Sequence, residues 1–259
     1  MMILAVDVGN SKIVFGTIEN GEIGIVASIH TENRYTAEEY GIKINQLLAY
    51  YEIDPASFEG AIISSVVPPV TDALKTAVKH LTGIDSMVVG PGMKTGMNVR
   101  IDDPSTLAGD LVVGSVAASA FYGTPVIVLD TGTATTMVVV DDKRCYRGGA
   151  IMPGVQLGLE ALAQGTSLLP DISVTAPKRV IATNTVDSMR SGAVYATASM
   201  IDGMTERMEE EMGMPCKVVA TGDLSSAIVP YCRRKEIIYD RDLLLKGLWV
   251  LYEKNRKTA

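Results

Sequence analysis

The sequence predicts an α/β protein of two related domains, each a mixed sheet covered by helices. A repeat is the first observation behind this. Met2-Ile3-Leu4-Ala5-Val6 leads into Asp7-Val8-Gly9-Asn10-Ser11 and then the apolar run Ile13 to Ile18. Val126-Ile127-Val128-Leu129 leads into Asp130-Thr131-Gly132-Thr133 and then Met137 to Val140. Both read as strand, Asp-x-Gly turn, strand, turn, strand. The aspartates at 7 and 130 stand 123 residues apart, close to half of a 259-residue chain, as in a duplicated domain. Second, strand-length apolar runs alternate with helix-length segments, the pattern of parallel or mixed sheets. Third, 47% hydrophobic and 20% charged residues suffice to fill a core and exclude a disordered chain. The division is expected near residue 118, giving domains 1–118 and 119–259.

The elements follow in order. After the first hairpin, Ala37 to Tyr51 reads as a helix with Leu47, Leu48 and Tyr51 on one side. Gly60 to Val67 is an apolar strand ending at Pro68-Pro69, and Val70 to Leu81 a second helix. Ser86 to Val89 is a strand running into Gly90-Pro91-Gly92. Ser105 to Ala120 is a helix. In the second half, Thr185 to Met212 is one long helical stretch, Lys217 to Ala220 a strand, and Asp242 to Asn255 a closing helix. The uncharged stretch Leu111 to Leu129 is broken by Gly123-Thr124-Pro125, so it reads as helix, turn and buried strand rather than a membrane span.

A net charge of −7 argues against nucleic acid or an anionic membrane as the main partner. Arg233-Arg234-Lys235 is the one short basic cluster. The three cysteines, Cys145, Cys216 and Cys232, form neither a disulfide framework nor a metal-binding pair, which suits a reducing cytoplasm. Met1 to Val8 lacks a basic leader, and its apolar run stops at Asp7, so no targeting segment is expected.

Two loops carry the chemistry. In Asp7-Val8-Gly9-Asn10-Ser11, Gly9 permits a tight turn, backbone N–H groups with Asn10 and Ser11 can donate to phosphate oxygens, and a strand-end carboxylate at Asp7 can hold nucleotide-bound Mg²⁺. The competing reading is an ordinary hairpin turn. Asp130 to Thr136 packs four threonines around Gly132 after a buried strand, a composition suited to an anion cradle, although threonine also suits strands. Together the loops predict a polyphosphate gripped by both. Gly90-Pro91-Gly92-Met93-Lys94-Thr95-Gly96 is a defined loop with exposed backbone, either substrate-facing or a structural turn. Asp110 stands in the first turns of an apolar helix. The helix dipole alone accounts for it, and it is also a candidate general base for an acceptor hydroxyl. Gly148-Gly149-Ala150-Ile151-Met152-Pro153-Gly154 and Thr221-Gly222-Asp223 are further glycine breaks.

Other features read as packing. Met200, Met204, Met208 and Met212 fall at i,i+4 and make a core or interface stripe. Gly192, Ala196, Ser199 and Gly203 form a small-residue stripe that allows close helix contact and hints at a dimer. His30 and His80 have no ligand context, Trp249 reads as packing, and Glu206 to Glu211 as a solvated helix end.

These motifs, in this order and with Leu245-Lys246-Gly247-Leu248 and Tyr252-Glu253-Lys254-Asn255 at the end, resemble the type III pantothenate kinases over essentially the whole chain. The resemblance implies two duplicated ribonuclease H-like domains of the actin-like ATPase superfamily, which includes acetate and sugar kinases. It implies ATP-dependent phosphorylation of pantothenate to 4′-phosphopantothenate, the first step towards coenzyme A. By the resemblance, Asp7, Val8, Gly9, Asn10, Ser11, Lys12, Ile13 and Val14 form the first phosphate loop, and Gly132 and Thr133 contact ATP in the second. Asp7 serves Mg-ATP, Asp130 holds a monovalent cation (K⁺ or NH₄⁺), and Asp110 is the base. Gly90, Gly92, Thr95, Gly96, Ala108, Gly109 and Leu111 line the acceptor site, and Thr185 reaches pantothenate across a homodimer interface. The sequence departs from the family at three places: in the acceptor pocket Leu111 stands where the family has arginine and Ile101 where it has tyrosine, and the usual Thr-Gly-Gly becomes Thr221-Gly222-Asp223. The loss of a bidentate cation and a hydroxyl leaves two alternatives open. One is a kinase of the same superfamily with another small acceptor; the other is a nucleotide-binding accessory or regulatory paralogue without kinase activity.

Overall fold

The computed structural model describes residues 1–234 and 236–256. Lys235 of the basic cluster lies outside the described residues. The chain divides into two compact units. The first comprises residues 1–96, 103–117 and the segment from Leu243 onward; the second comprises residues 97–102 and 118–242. The division thus falls inside a helix at Ala117/Ala118. The C-terminal helix belongs to the first unit, although sequence position alone had grouped it with the second.

In the first unit, β1 (Met2–Val8), β2 (Lys12–Glu19) and β3 (Glu22–His30) form an antiparallel meander. β4 (Gly60–Ser65) adds parallel to β1, and β5 (Met87–Val88) to β4, giving the order β3-β2-β1-β4-β5. α1 (Ala37–Tyr50) starts at a capping box: Thr36 accepts from Glu39 N, and the Glu39 side chain accepts from Thr36 N. It buries Tyr40, Ile44 and Leu48, one side of the helix. α2 (Pro68–Thr82) begins at the Pro-Pro pair itself, because proline needs no N–H at the first helical positions. It ends at Gly83, which is left-handed at φ 74°. Both helices cover one face of the sheet, and their apolar sides join Leu4, Val6, Val8, Ile13 and Ile63 in one core. α3 (Gly109–Phe121) runs through the division.

The second unit repeats the plan. β6 is the short strand Asn98–Val99. β7 (Val126–Thr131), β8 (Ala134–Val140) and β9 (Cys145–Pro153) form the meander. α4 (Val155–Gly165) and α5 (Thr185–Ser191) follow. A π-helical turn, Gly192–Ala196, then leads into α6 (Thr197–Met212). β10 (Lys217–Thr221) pairs parallel with β7, and a one-turn α7 (Ser225–Ile228) precedes β11 (Ile237–Tyr239), parallel to β10. The order β11-β10-β7-β8-β9 repeats β5-β4-β1-β2-β3 strand for strand, with β6 added at the far edge. α8 (Leu243–Asn255) returns to the first unit. Its residues fit against glycines there: a Cβ on Gly60 would overlap the Tyr252 ring, and Gly21 lies under Trp249.

The expected helical stretch from Thr185 to Met212 is continuous, with a π-helical turn at Gly192–Ala196 between α5 and α6. The expected helix from Ser105 instead begins with a separate turn, Pro104–Thr106, and starts at Gly109. α4, β6 and β11 had no counterpart in the sequence reading. The methionines at 200, 204, 208 and 212 pack on the core of the second unit. No helix among the described residues is long and apolar enough to cross a membrane.

Candidate functional site

The two Asp-x-Gly hairpins hold equivalent places in the two sheets. In the first, Val8 pairs with Ile13, which leaves a four-residue turn; in the second, Thr131 pairs with Thr135 and leaves three. Each aspartate ends a central strand, and each has a hydroxyl residue beside it on the next parallel strand: Ser64 beside Asp7, and Thr221 beside Asp130. Strand ends at such a position are where α/β sheets bind ligands.

The first turn is tightly made. Gly9 N donates to Lys12 O at 2.9 Å, and Thr31 from β3's end braces it, its N donating to Ser11 O and its hydroxyl to Gly9 O. Asn10 and Ser11 are exposed at the tip, while Val8 and Ile13 are buried. Val8 and Ile13, expected in the phosphate loop, therefore anchor it from the core. Val14 is half-buried on β2 opposite Asp7.

Asp110 lies on the same unit as Asp7, brought close by the start of α3. Gly109 sits against the end of β4, where an added Cβ would stand 3.4 Å from Ser64 Oγ and 3.7 Å from Val89. Asp110 is half-buried, and its Oδ1 accepts from Leu111 N at 2.8 Å. Burial raises its pKa above the ordinary carboxylate value, partly offset by backbone hydrogen bonds. Burial, and then the negative charge of Asp110, push Asp7 up to about 7, against the lowering effects of Ser64 and Lys12. The Ser64 hydroxyl favours the Asp7 carboxylate by proximity but meets no partner at full hydrogen-bond geometry. Two carboxylates so placed are short of positive charge and of donors. Hard oxygen ligands with a deficit of cation suit Mg²⁺ carried in on a polyphosphate. Among the described residues no three His, Cys, Asp or Glu side chains are grouped to hold a metal alone, so phosphate oxygens and water would complete its shell.

In the second unit, Asp130 sits in a glycine cradle. Its Oδ1 lies 3.5 Å from where a Cβ on Gly132 would stand, and a Cβ on Gly222 would overlap it. Gly222 has φ +90° and also passes 2.6 Å, by the same measure, from Thr131 N. Below the loop, Thr131 and Ser225 hydroxyls meet at 2.9 Å, and Ser225 donates to Thr221 O, all fully buried. Gly154 is required in the same way, because a side chain there would strike the backbone carbonyls of Gly132 and Thr133. Thr133 itself is exposed at the tip. A carboxylate in a backbone-lined cradle fits a weakly hydrated monovalent cation by its donor chemistry.

The remaining candidates fall into two groups. Gly90, Gly92, Thr95 and Gly96 form an exposed loop on the first unit, turned by positive φ at Gly92 (87°) and Gly96 (77°). Ala108 and Leu111 flank Asp110 and are half-buried. Thr185 lies on the second unit, at the start of α5 after the Asn184 N-cap, and lines a cleft of about 500 Å³ with Pro153, Gly158, Leu162 and Gly192. Ile101 packs 3.7 Å from the Cβ position of Gly148. Sequence reasoning missed two participants. Ser64 carries no motif, and Asn255 of α8 grips the Gly90–Gly96 loop by hydrogen bonds to Lys94.

The family model for type III pantothenate kinase matches residues 3–207. Solved structures similar to this chain include a Campylobacter jejuni protein assigned to the Baf family of transcriptional activators, 17% identical, with 97% of this chain and 98% of that one covered and a TM-score of 0.61. A ROK-family glucokinase from Streptomyces griseus, solved with glucose and AMPPNP, is 13% identical over 98% of both chains, with a TM-score of 0.57. An inorganic polyphosphate/ATP-glucomannokinase from Arthrobacter sp. strain KM is 16% identical, with 96% and 97% covered and a TM-score of 0.52. At these identities the likeness is one of fold, the two-domain fold of the actin-like ATPases and sugar kinases.

Proposed function

The chain belongs to the type III pantothenate kinase family, and from that premise we propose that it transfers the γ-phosphoryl group of ATP to the terminal hydroxyl of pantothenate. The observation that carries this reading is the pair of carboxylates at one strand end, with Asp110 half-buried at the start of α3 and Asp7 raised to about 7 beside it. A base must take the acceptor's proton as the new O–P bond forms and the bond to ADP breaks, and a carboxylate of raised basicity suits that step. Asp110 is assigned to it. Asp7 is the carboxylate that meets Mg-ATP, whose metal, when bound, neutralises charge developing on the phosphates. Gly9, Asn10, Ser11 and Lys12 are assigned to the phosphates, with Val8, Ile13 and Val14 fixing their turn. Gly132 and Thr133 contact the nucleotide, and Asp130 holds K⁺ or NH₄⁺.

Gly90, Gly92, Thr95, Gly96, Ala108, Gly109 and Leu111 are assigned to the acceptor. Thr185 is assigned to the acceptor bound by a second copy. The support is its place in an apolar cleft whose unit also exposes Leu168 and Ile181, 89% and 85% accessible. Three free cysteines suit a cytoplasmic location. Leu111 and Ile101 favour a second reading, a kinase of the same superfamily for another small hydroxylated acceptor.

The test is ADP release with ATP, Mg²⁺ and K⁺ across a panel of acceptors. Turnover with pantothenate supports the first reading, and turnover only with other alcohols supports the second. Nucleotide binding without turnover on any acceptor overturns both in favour of an accessory protein.

A further inference from the structure

The last turn of α8 touches the Gly90–Gly96 loop at two consecutive residues. Asn255 brackets the Lys94 peptide unit. Its Oδ1 accepts from Lys94 N at 2.8 Å and its Nδ2 donates to Lys94 O at 3.0 Å, the pairing a neighbouring strand would make. The same Nδ2 also donates to Leu251 O at 2.8 Å, which ties the amide to its own helix. Lys254 lies across Gly96, its Nζ 3.1 Å and its Cε 3.4 Å from where a Cβ on Gly96 would stand. Gly96 has φ +77° and offers no side chain, so the ammonium lies next to the space a side chain there would fill. Lys254 makes no salt bridge among the described residues, and its side chain is exposed.

From this geometry we propose that the end of α8 is a wall of the acceptor site: Lys254 selects an acceptor carrying a negative charge, and Asn255 is the positioning residue that holds the loop against it. The inference rests on the assignment of the Gly90–Gly96 loop to the acceptor. It follows from three local facts. The loop is rich in glycine, and its one charged side chain, Lys94, is exposed. Leu111, next to the base, contributes no charge. Lys254 adds a second cation beside Gly96 to that of the loop's own exposed Lys94. A lysine in the last turn of a helix also complements the helix dipole. That role would make Lys254 matter equally for every acceptor, whereas an anion-reading role makes it matter only for charged ones.

The experiment compares pantothenate with panthenol, in which the carboxylate is replaced by a neutral alcohol, on the full-length wild type and on Lys254→Met, Lys254→Arg and Asn255→Ala. A charge-assisted contact is worth roughly ten- to a hundredfold in affinity. Lys254→Met is expected to raise KM for pantothenate at least about tenfold more than KM for panthenol, with Lys254→Arg restoring most of the difference. Asn255→Ala is expected to speed hydrogen exchange at the Lys94 amide and to raise the acceptor KM far more than it lowers kcat. Equal KM increases for both acceptors in Lys254→Met, or an Lys94 amide as protected in Asn255→Ala as in wild type, overturn the inference while leaving the proposed kinase in place. A wild type inactive with pantothenate overturns the proposed function, and the inference falls with it.

Discussion

At the scale of single residues, the two aspartates of the first unit stand in different environments. Asp7 closes a strand and faces the turn; Asp110 opens a helix and is coupled to Asp7 by charge. Replacing Asp110 by Asn keeps the shape and the hydrogen bond from Leu111 N but removes the basic oxygen. Turnover should fall roughly 10²- to 10⁴-fold. It should not weaken nucleotide binding, because losing the Asp110 charge lets Asp7 ionise more readily. Steady-state kinetics with calorimetric titration of ATP checks both, and an unchanged kcat removes Asp110 from the base role. Gly222 is the other decisive residue. Alanine there would overlap the Asp130 carboxylate at a φ of +90°, so Gly222→Ala should cost about 1–3 kcal/mol in urea unfolding and, on the proposed role of Asp130, blunt any activation by K⁺. A variant as stable and as K⁺-responsive as wild type would show that the loop yields freely. Asp7 and Gly222 were legible in glycine-marked breaks, and Asp110 at the start of an apolar helix. The nearness of Asp7 and Asp110 was not, because it depends on β4 pairing beside β1 and on Gly109 letting α3 approach Ser64.

At the scale of elements, the sequence conveys what is periodic or punctuated. The meanders, α1, α2 and β10 were legible from alternation, caps and prolines. β6 and β11 were not, because two or three residues hold no period and exist only through pairing with β9 and β10. The π turn was hidden because a single widened turn inside a helix has no sequence motif of its own. Long-range clasps are equally silent in sequence. Arg234 meets Glu209 of α6 through two 2.8 Å hydrogen bonds and also donates to Cys216 O, while Cys216 N donates to Glu209. Burial works to raise the Glu209 pKa, but the hydrogen bonds and charge of Arg234 and the Cys216 N–H hold it below the ordinary value of 4.5. A carboxyl lowered in the folded state stabilises fully above its unfolded pKa, and the contribution fades as pH falls through the lowered value. Glu209→Gln should therefore cost about 1–3 kcal/mol at pH 7, with the gap to wild type closing as the pH drops below 4.5. A gap independent of pH would show that the clasp acts by packing alone.

At the scale of the whole molecule, duplication explains why two turns of different sequence occupy matching strand ends, and why each half places a hydroxyl beside its aspartate. Duplication does not explain why more of the exposed large apolar side chains fall in the second unit than in the first, which exposes Ile42, Tyr50 and Tyr51. The second unit exposes Leu157, Leu162, Leu168, Val180 and Ile181, three of them more than 60% accessible, and Leu162 lines the cleft that holds Thr185. A chain of net charge −7 rarely leaves so much apolar surface open unless a partner covers it. If a second copy does so, light scattering should report twice the 27.6 kDa chain mass. The double variant Leu168→Glu and Ile181→Glu should then give monomers, because like charges introduced on a self-complementary patch oppose each other across it. The monomer should still bind Mg-ATP, whose assigned residues lie elsewhere, yet lose affinity for the acceptor if Thr185 serves the neighbouring copy. A monomeric wild type, or a monomeric variant with the wild-type acceptor KM, would separate Thr185 from the acceptor site.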